Sequence, residues 1–148
     1  MASDVKAVIT RHLRARPARV FEACTDPKLL ALWLGPKAFE VCDVSADARV
    51  GGRFMLRMEN DQGVHAAEGV YQEITPPTRV VLTWRWTEAP DGTELNGVES
   101  LVTFEMRADG DGTLLTLTHD RLKDQASADD HSEGWTEAVD KLEGLLAA

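Results

Sequence analysis

Between residues 79 and 119 the chain alternates apolar and polar side chains with little interruption. Val80, Leu82, Trp84 and Trp86 fall on one face of a strand, Val102, Phe104 and Met106 on one face of the next, and Leu115, Leu117 and His119 on one face of the last. Thr83, Arg85, Thr103, Glu105, Thr116 and Thr118 occupy the opposite faces. A period of two is the signature of extended chain, and this contrast predicts a sheet with one apolar and one polar face. An apolar sheet face needs a cover, and that need constrains the rest of the chain.

The alternating stretch belongs to a longer β-rich region. The strand candidates are 38–44, 52–59, 64–75, 79–87, 98–108 and 113–119. They are separated by Gly51-Gly52, Asn60-Asp61-Gln62-Gly63, Pro76-Pro77, Asp91-Gly92 and Asp109-Gly110-Asp111-Gly112, all with turn chemistry. Short connections between consecutive strands predict an antiparallel meander. Ahead of it, residues 4–14 place Val5, Ala7, Ile9 and Leu13 on one face of a further strand. Pro17 then suits the start of one short helix, and Asp26-Pro27 suits the cap and first position of a second, which Gly35-Pro36 stops.

The cover is the C-terminal stretch HSEGWTEAVDKLEGLL. At about 100° per residue, His131, Trp135, Ala138, Val139, Leu142, Leu145 and Leu146 fall in one arc, while Asp130, Glu133, Asp140, Lys141 and Gly144 lie outside it. Glu137 and Lys141 have the spacing of a favourable pair. Gly134 stands on the shoulder of the arc, where glycine costs about 1 kcal/mol relative to alanine. The expectation is that it permits a close approach to a neighbouring strand or leaves space beside Trp135.

The 148 residues suit a single domain spanning 1–148. The net charge of −9 is unevenly spread. Residues 1–37 carry seven basic against three acidic side chains, and residues 88–148 carry four against fifteen. An acidic C-terminal half excludes a nucleic-acid partner. No apolar run approaches a membrane span, and MASDVKAVIT lacks the pattern of a signal peptide, so a cytoplasmic location is expected. Cys24 and Cys42 form no CxxC pair and read as small buried hydrophobes.

No nucleophile, zinc or phosphate-loop motif is present, so no catalytic residue, metal ligand or cofactor is assigned. The segment DGDGT at 109–113 lacks the later ligands of a calcium loop and reads as a hairpin turn. His12 is expected to be exposed, and His65 to border a turn. His119 and His131 continue the two apolar faces, and two readings stay open: polar groups at one end of a cavity, or structural histidines bonded to backbone. Glu68 shares the parity of Val70 and Ile74, which would turn it inward as a candidate base, whereas an edge position or bulge would put it in water. Tyr71 has the opposite parity. The acids Asp124, Asp129, Asp130 and Glu133 beside His131 fit helix capping and the helix dipole better than a metal site.

The segments ARPARVFEACTDPKLLALWLGP, GGRF, EGVYQEITPPTRVVLTWRW, GTLLTLTH and EGWTEAVDKLEGLL, in this order, resemble the START-like (SRPBCC) superfamily. Within it, the chain is similar to the family related to the activator of the heat-shock protein 90 ATPase, in its single-domain bacterial form. The resemblance implies an α+β helix-grip fold in which a curved antiparallel sheet wraps the long C-terminal helix, often around an apolar pocket. The expected lining is Trp33, Phe54, Leu56, Met58, Trp84, Trp86, Phe104, Met106, Leu117, His119, His131, Trp135 and Val139. Three functions follow as expectations: binding of a small apolar or lipid-like ligand, a chaperone-activator-like or other protein-interaction module, and a cyclase- or hydrolase-type enzyme. The separate chaperone-contacting domain of eukaryotic relatives has no counterpart in this length, and monomer and homodimer are both compatible with the sequence.

Overall fold

The computed structural model describes residues 5–90 and 99–147. The chain opens with strand β1 (Ala7–Leu13), followed by helices α1 (Pro17–Thr25) and α2 (Pro27–Trp33). Strands β2 (Glu40–Ala46), β3 (Arg53–Asn60), β4 (Gly63–Thr75), β5 (Arg79–Glu88), β6 (Ser100–Asp109) and β7 (Gly112–Asp120) precede helix α3 (Gln125–Ala147). The seven strands form one sheet in the order β1-β7-β6-β5-β4-β3-β2, every pairing antiparallel. The meander is therefore real, and the first strand closes it by returning to pair with the last. The curved sheet with its long C-terminal helix and two short helices after the first strand is the helix-grip arrangement. The Asp91-Gly92 turn lies outside the described residues.

The short helices form where local chemistry directs. Pro17 and Pro27 occupy first helical positions, where the missing N–H costs no intrahelical bond. Asp26 ends α1 by donating its backbone N–H to Glu22 O at 2.9 Å, and its carboxylate caps α2 by accepting the Lys28 N–H at 2.8 Å. The buried indole of Trp33 donates to Ala23 O at 2.8 Å, locking the two helices together. Gly35 then turns the chain with φ +85°, and an added Cβ would lie 2.9 Å from Met58 Sδ. This brings the loop after α2 down onto β3.

Bulges curl the sheet. Register shifts occur in β2 between Val41 and Asp43, in β4 between Tyr71 and Glu73, and in β5 between Trp86 and Glu88, opposite Ala66 and Ala67. Each adds local twist and reassigns the faces of the residues beyond it. Tyr71 is buried and Val70 is exposed, the reverse of the simple parity in which Val70 shares an inward face with Ile74. Glu68 points to water and pairs with Arg85 at 2.8 Å, so it is not an inward base. Cys24 is buried as expected, but Cys42 is exposed, because β2 is an edge strand with much of its length in solvent.

Helix α3 buries Trp135, Ala138, Val139, Leu142 and Leu146 against the sheet, on the arc its periodicity predicts. Its polar flank is tied down at distant points. Asp140 and Glu143 hold Arg11 of β1 at 2.8 and 2.7 Å. Glu137 and Lys141 do not form a direct ion pair. Glu137 instead accepts the Lys37 N–H at 2.9 Å, and Lys141 donates to Leu34 O at 3.1 Å, both in the loop after α2. Among the described residues no helix is long and apolar enough to cross a membrane.

The two glycines of α3 separate cleanly. A Cβ on Gly144 would meet nothing within 4 Å, whereas one on Gly134 would come within 3.2 Å of Pro36 Cγ. The close approach at Gly134 is therefore to the loop after α2, not to a strand. Gly144→Ala is expected to raise stability by about 0.5–1 kcal/mol through helix propensity. Gly134→Ala should gain less or lose, because crowding against Pro36 offsets the same propensity. Urea denaturation of both variants checks this, and an equal gain at 134 would show that Pro36 yields freely.

Candidate functional site

Helix α3 does not close fully on the sheet. A cavity of about 250 Å3 remains between it, the loop after α2 and strands β3 to β5. Of the expected lining, Leu56, Met58, Trp84, Trp86, His131 and Trp135 face it. Trp33, Phe54, Phe104 and Met106 do not; they are core residues packed beneath it. Leu117, His119 and Val139 are likewise absent from its wall, each with no exposed surface. The reason is geometric. The strands beyond β5 pack directly against α3, so shared facing puts their side chains in the core and leaves open space only toward β3 and β4.

The wall also includes residues that simple alternation passes over. Leu34, Gly35, Pro36 and Phe39 come from the loop after α2. His65 of β4, opposite Met58 in β3, packs its ring on Phe39 with centroids 4.7 Å apart. Ala89 and Asp130 stand near the mouth, and the Asp130 side chain is exposed. Gly134 and Ala138 supply the helix side. The small residues spaced one turn apart in α3 were the signal in the sequence, since they leave the helix surface low where the cavity lies.

Aromatic rings dominate the site. Trp84 lies edge-on to Trp86 at 5.8 Å and to Trp135 at 5.5 Å, and tilted against Phe54 at 5.3 Å. Such edge-to-face contacts place positive ring edges on negative ring faces and hold the indoles in fixed orientations.

The two histidines hold these rings. Trp135 Nε1 donates to His119 Nδ1 at 3.0 Å, and Trp86 Nε1 donates to His131 Nε2 at 3.1 Å. An indole nitrogen can only donate, so each receiving imidazole nitrogen carries a lone pair and the other carries the proton. In His119 that proton, on Nε2, goes to Ser100 Oγ at 2.6 Å, and the Ser100 hydroxyl goes on to Trp84 O at 2.8 Å. In His131 the Nδ1 proton goes to Ser127 O at 2.7 Å. Both rings are thus neutral and fully bonded, with centroids 4.6 Å apart. Burial, reinforced by the neighbouring His131, pushes the His119 pKa well below the ordinary histidine value. Of the two readings open in the sequence, the structural one describes His119. Its partners are two side chains, with the backbone reached only through Ser100.

Among the described residues no group of three His, Cys, Asp or Glu side chains is placed to hold one metal ion. The arrangement is suited to enclosing a ring system, and neither histidine presents an unengaged nitrogen for proton transfer.

The fold and parts of the sequence recur in known proteins. A crystal structure of a protein from Chromobacterium violaceum superposes with TM-score 0.86 at 27% identity, covering 99% of each chain. That of the AHSA1 protein from Silicibacter pomeroyi gives 0.84 at 29% identity, covering 96% of this chain and 97% of the other. No curated protein matches the chain significantly. The sequence model described as activator of Hsp90 ATPase homolog 1-like protein matches residues 14–147. That match runs from the end of β1 through nearly all of α3, and the chain therefore belongs to the activator of Hsp90 ATPase homolog 1-like family.

Proposed function

We propose that this protein binds one small, largely apolar, ring-bearing molecule in the cavity between α3 and strands β3 to β5. The observation that carries this reading is the wall of Trp84, Trp86 and Trp135, the last two held by histidine bonds and Trp84 edge-on between them, which leaves about 250 Å3 open between them and Met58. Preformed apolar concavities with a few fixed polar groups are the usual form of ligand sites. Fixed aromatic walls reduce the ordering cost of binding, and the methionine adapts to the guest's outline. The full engagement of both imidazoles favours binding over a cyclase- or hydrolase-type reaction based on them.

Flat aromatic ligands are expected to bind at 1:1 stoichiometry and raise Tm as their concentration exceeds Kd, by about 2.7 kcal/mol of stabilisation at a hundredfold excess. Isothermal calorimetry and thermal melts across a panel of ring compounds check this. Gly134→Leu, which fills the helix side of the cavity, should remain folded and lose the shift. An unshifted wild type across the panel would sink the proposal. The family description carries a second reading, contact with a heat-shock-protein-90-type chaperone. An ATPase assay in which wild type and Gly134→Leu stimulate equally would favour it.

A further inference from the structure

Among the described residues Asp130 is the only carboxylate in the cavity wall, and no lysine or arginine lines it. Capping does not account for this acid. Asp124 caps α3 by accepting the Ser127 N–H at 2.8 Å, and Asp129 accepts from Gln125 Nε2 at 2.9 Å. Asp130 lies past the first turn of a helix that begins at Gln125, where the helix dipole no longer favours a negative charge. Its exposed side chain enters none of the ion pairs among the described residues. The next residue, His131, accepts from Trp86, the least buried of the three indoles in the wall. An uncompensated negative charge and an indole therefore meet at the same end of the cavity.

We infer that the natural ligand is a ring-bearing cation whose ammonium group sits at the cavity mouth beside Asp130. This deepens the proposed function and rests on it. The apolar ring body occupies the space along the tryptophan wall. The charge stays at the mouth, where it keeps part of its hydration and avoids the cost of burial. Trp86 adds attraction, because indole has the most strongly cation-binding face of the aromatic side chains. Positive charges of the protein do not compete. Lys141 stands about 16 Å farther along α3, at about 1.5 Å per residue, and donates to Leu34 O. Lys37 pairs with Asp140. At physiological ionic strength, exposed charges more than about 8 Å apart are largely screened from each other. An anionic ligand would meet only repulsion from Asp130.

The test uses two probes of the same shape, phenyltrimethylammonium and tert-butylbenzene, in which a quaternary nitrogen takes the place of a quaternary carbon. Their affinities are measured by calorimetry at physiological ionic strength for the wild-type protein, Asp130→Asn and Asp129→Asn. The ratio of cation to neutral affinity should fall by about fivefold in Asp130→Asn. That is equivalent to about 1 kcal/mol, the worth of two unit charges about 4 Å apart in water. Comparing ratios between proteins cancels the different hydration of the two probes. Asp129→Asn removes the same charge from the adjacent position, outside the cavity wall, and should leave the ratio near its wild-type value. An unchanged ratio in Asp130→Asn, an equal fall in both variants, or binding of tert-butylbenzene alone would each overturn the cation assignment and leave the cavity reading intact. Binding of neither probe to the wild-type protein would overturn both.

Discussion

Gly69→Ala is expected to destabilise the protein by more than about 3 kcal/mol, beyond the usual range for an added methyl group in a packed interior. A Cβ on Gly69 would lie 1.8 Å from Thr83 O and 2.8 Å from Thr83 C. The obstacle is backbone, so no rotamer change relieves it. Between the pairs Glu68↔Arg85 and Tyr71↔Leu82 the Val70 N–H leaves the ladder and donates to Thr83 Oγ1 at 2.9 Å. Gly69 lets β4 sit close against β5 at that point. Relief would require parting β4 from β5 and so displacing Trp84, the residue beyond Thr83. For a chain of this size each kcal/mol corresponds to about 2–4 °C in Tm, so a fall of at least about 6 °C is expected in calorimetry. Gly144→Ala, with open space around it, serves as the control for handling and expression. A Gly69→Ala protein as stable as wild type would mean the β4–β5 contact is looser than described.

The second large effect is one of pH. His119 is fully buried and neutral, with Nδ1 accepting from Trp135 and Nε2 donating to Ser100. Its pKa in the folded protein lies well below 6.5, the ordinary value, first because burial disfavours the charged ring and second because His131 is close. In the unfolded chain the ring takes up a proton as the pH drops through about 6.5. The unfolded state then binds more protons than the folded one, so stability falls as the pH falls. The contribution is complete above pH 6.5 and is lost below it, by up to about 1.4 kcal/mol per pH unit, until the folded ring itself protonates. Between pH 7.5 and 5 stability should therefore fall, and the fall should come in part from this one side chain. Urea denaturation across that range measures the slope. His119→Gln keeps an acceptor and a donor but cannot titrate. It should lower stability at pH 7.5 and flatten the dependence below pH 6.5. An unchanged slope in the variant would show that other groups carry it.

The sheet and its cover were legible in the sequence because both patterns are local. A strand exposes alternate residues to alternate faces whatever it pairs with, so Val80, Leu82, Trp84, Val102, Phe104, Leu115 and Leu117 announced an inner face, and all are buried. The α3 arc follows from helical geometry in the same way, and Trp135, Ala138, Val139, Leu142 and Leu146 are its buried residues. Prolines and the Asp26 cap located the short helices. β4 was not legible at this level. The register shift between Tyr71 and Glu73 changes which residues face inward, and nothing in EGVYQEIT signals it; the need of Gly69 for close backbone approach likewise shows only when Thr83 is beside it.

The candidate site was half legible for the same reason. Six of the expected lining residues face the cavity, but alternation could not separate them from Phe104, Met106 or Leu117, which share the inner face and lie where α3 packs directly on the sheet. Phe39 and His65 reach the wall from a loop and from a bulged strand, where no period applies. The sequence by itself determined the elements, their order and the apolar faces that bring sheet and helix together, because backbone geometry imposes those periods residue by residue. Only the tertiary structure decided where the two surfaces fail to meet, and that His119 and His131 are committed to holding Trp135 and Trp86 while Trp84 Nε1 finds no partner among the described residues. These depend on side chains far apart in the chain, brought within hydrogen-bond distance by the curl of the sheet.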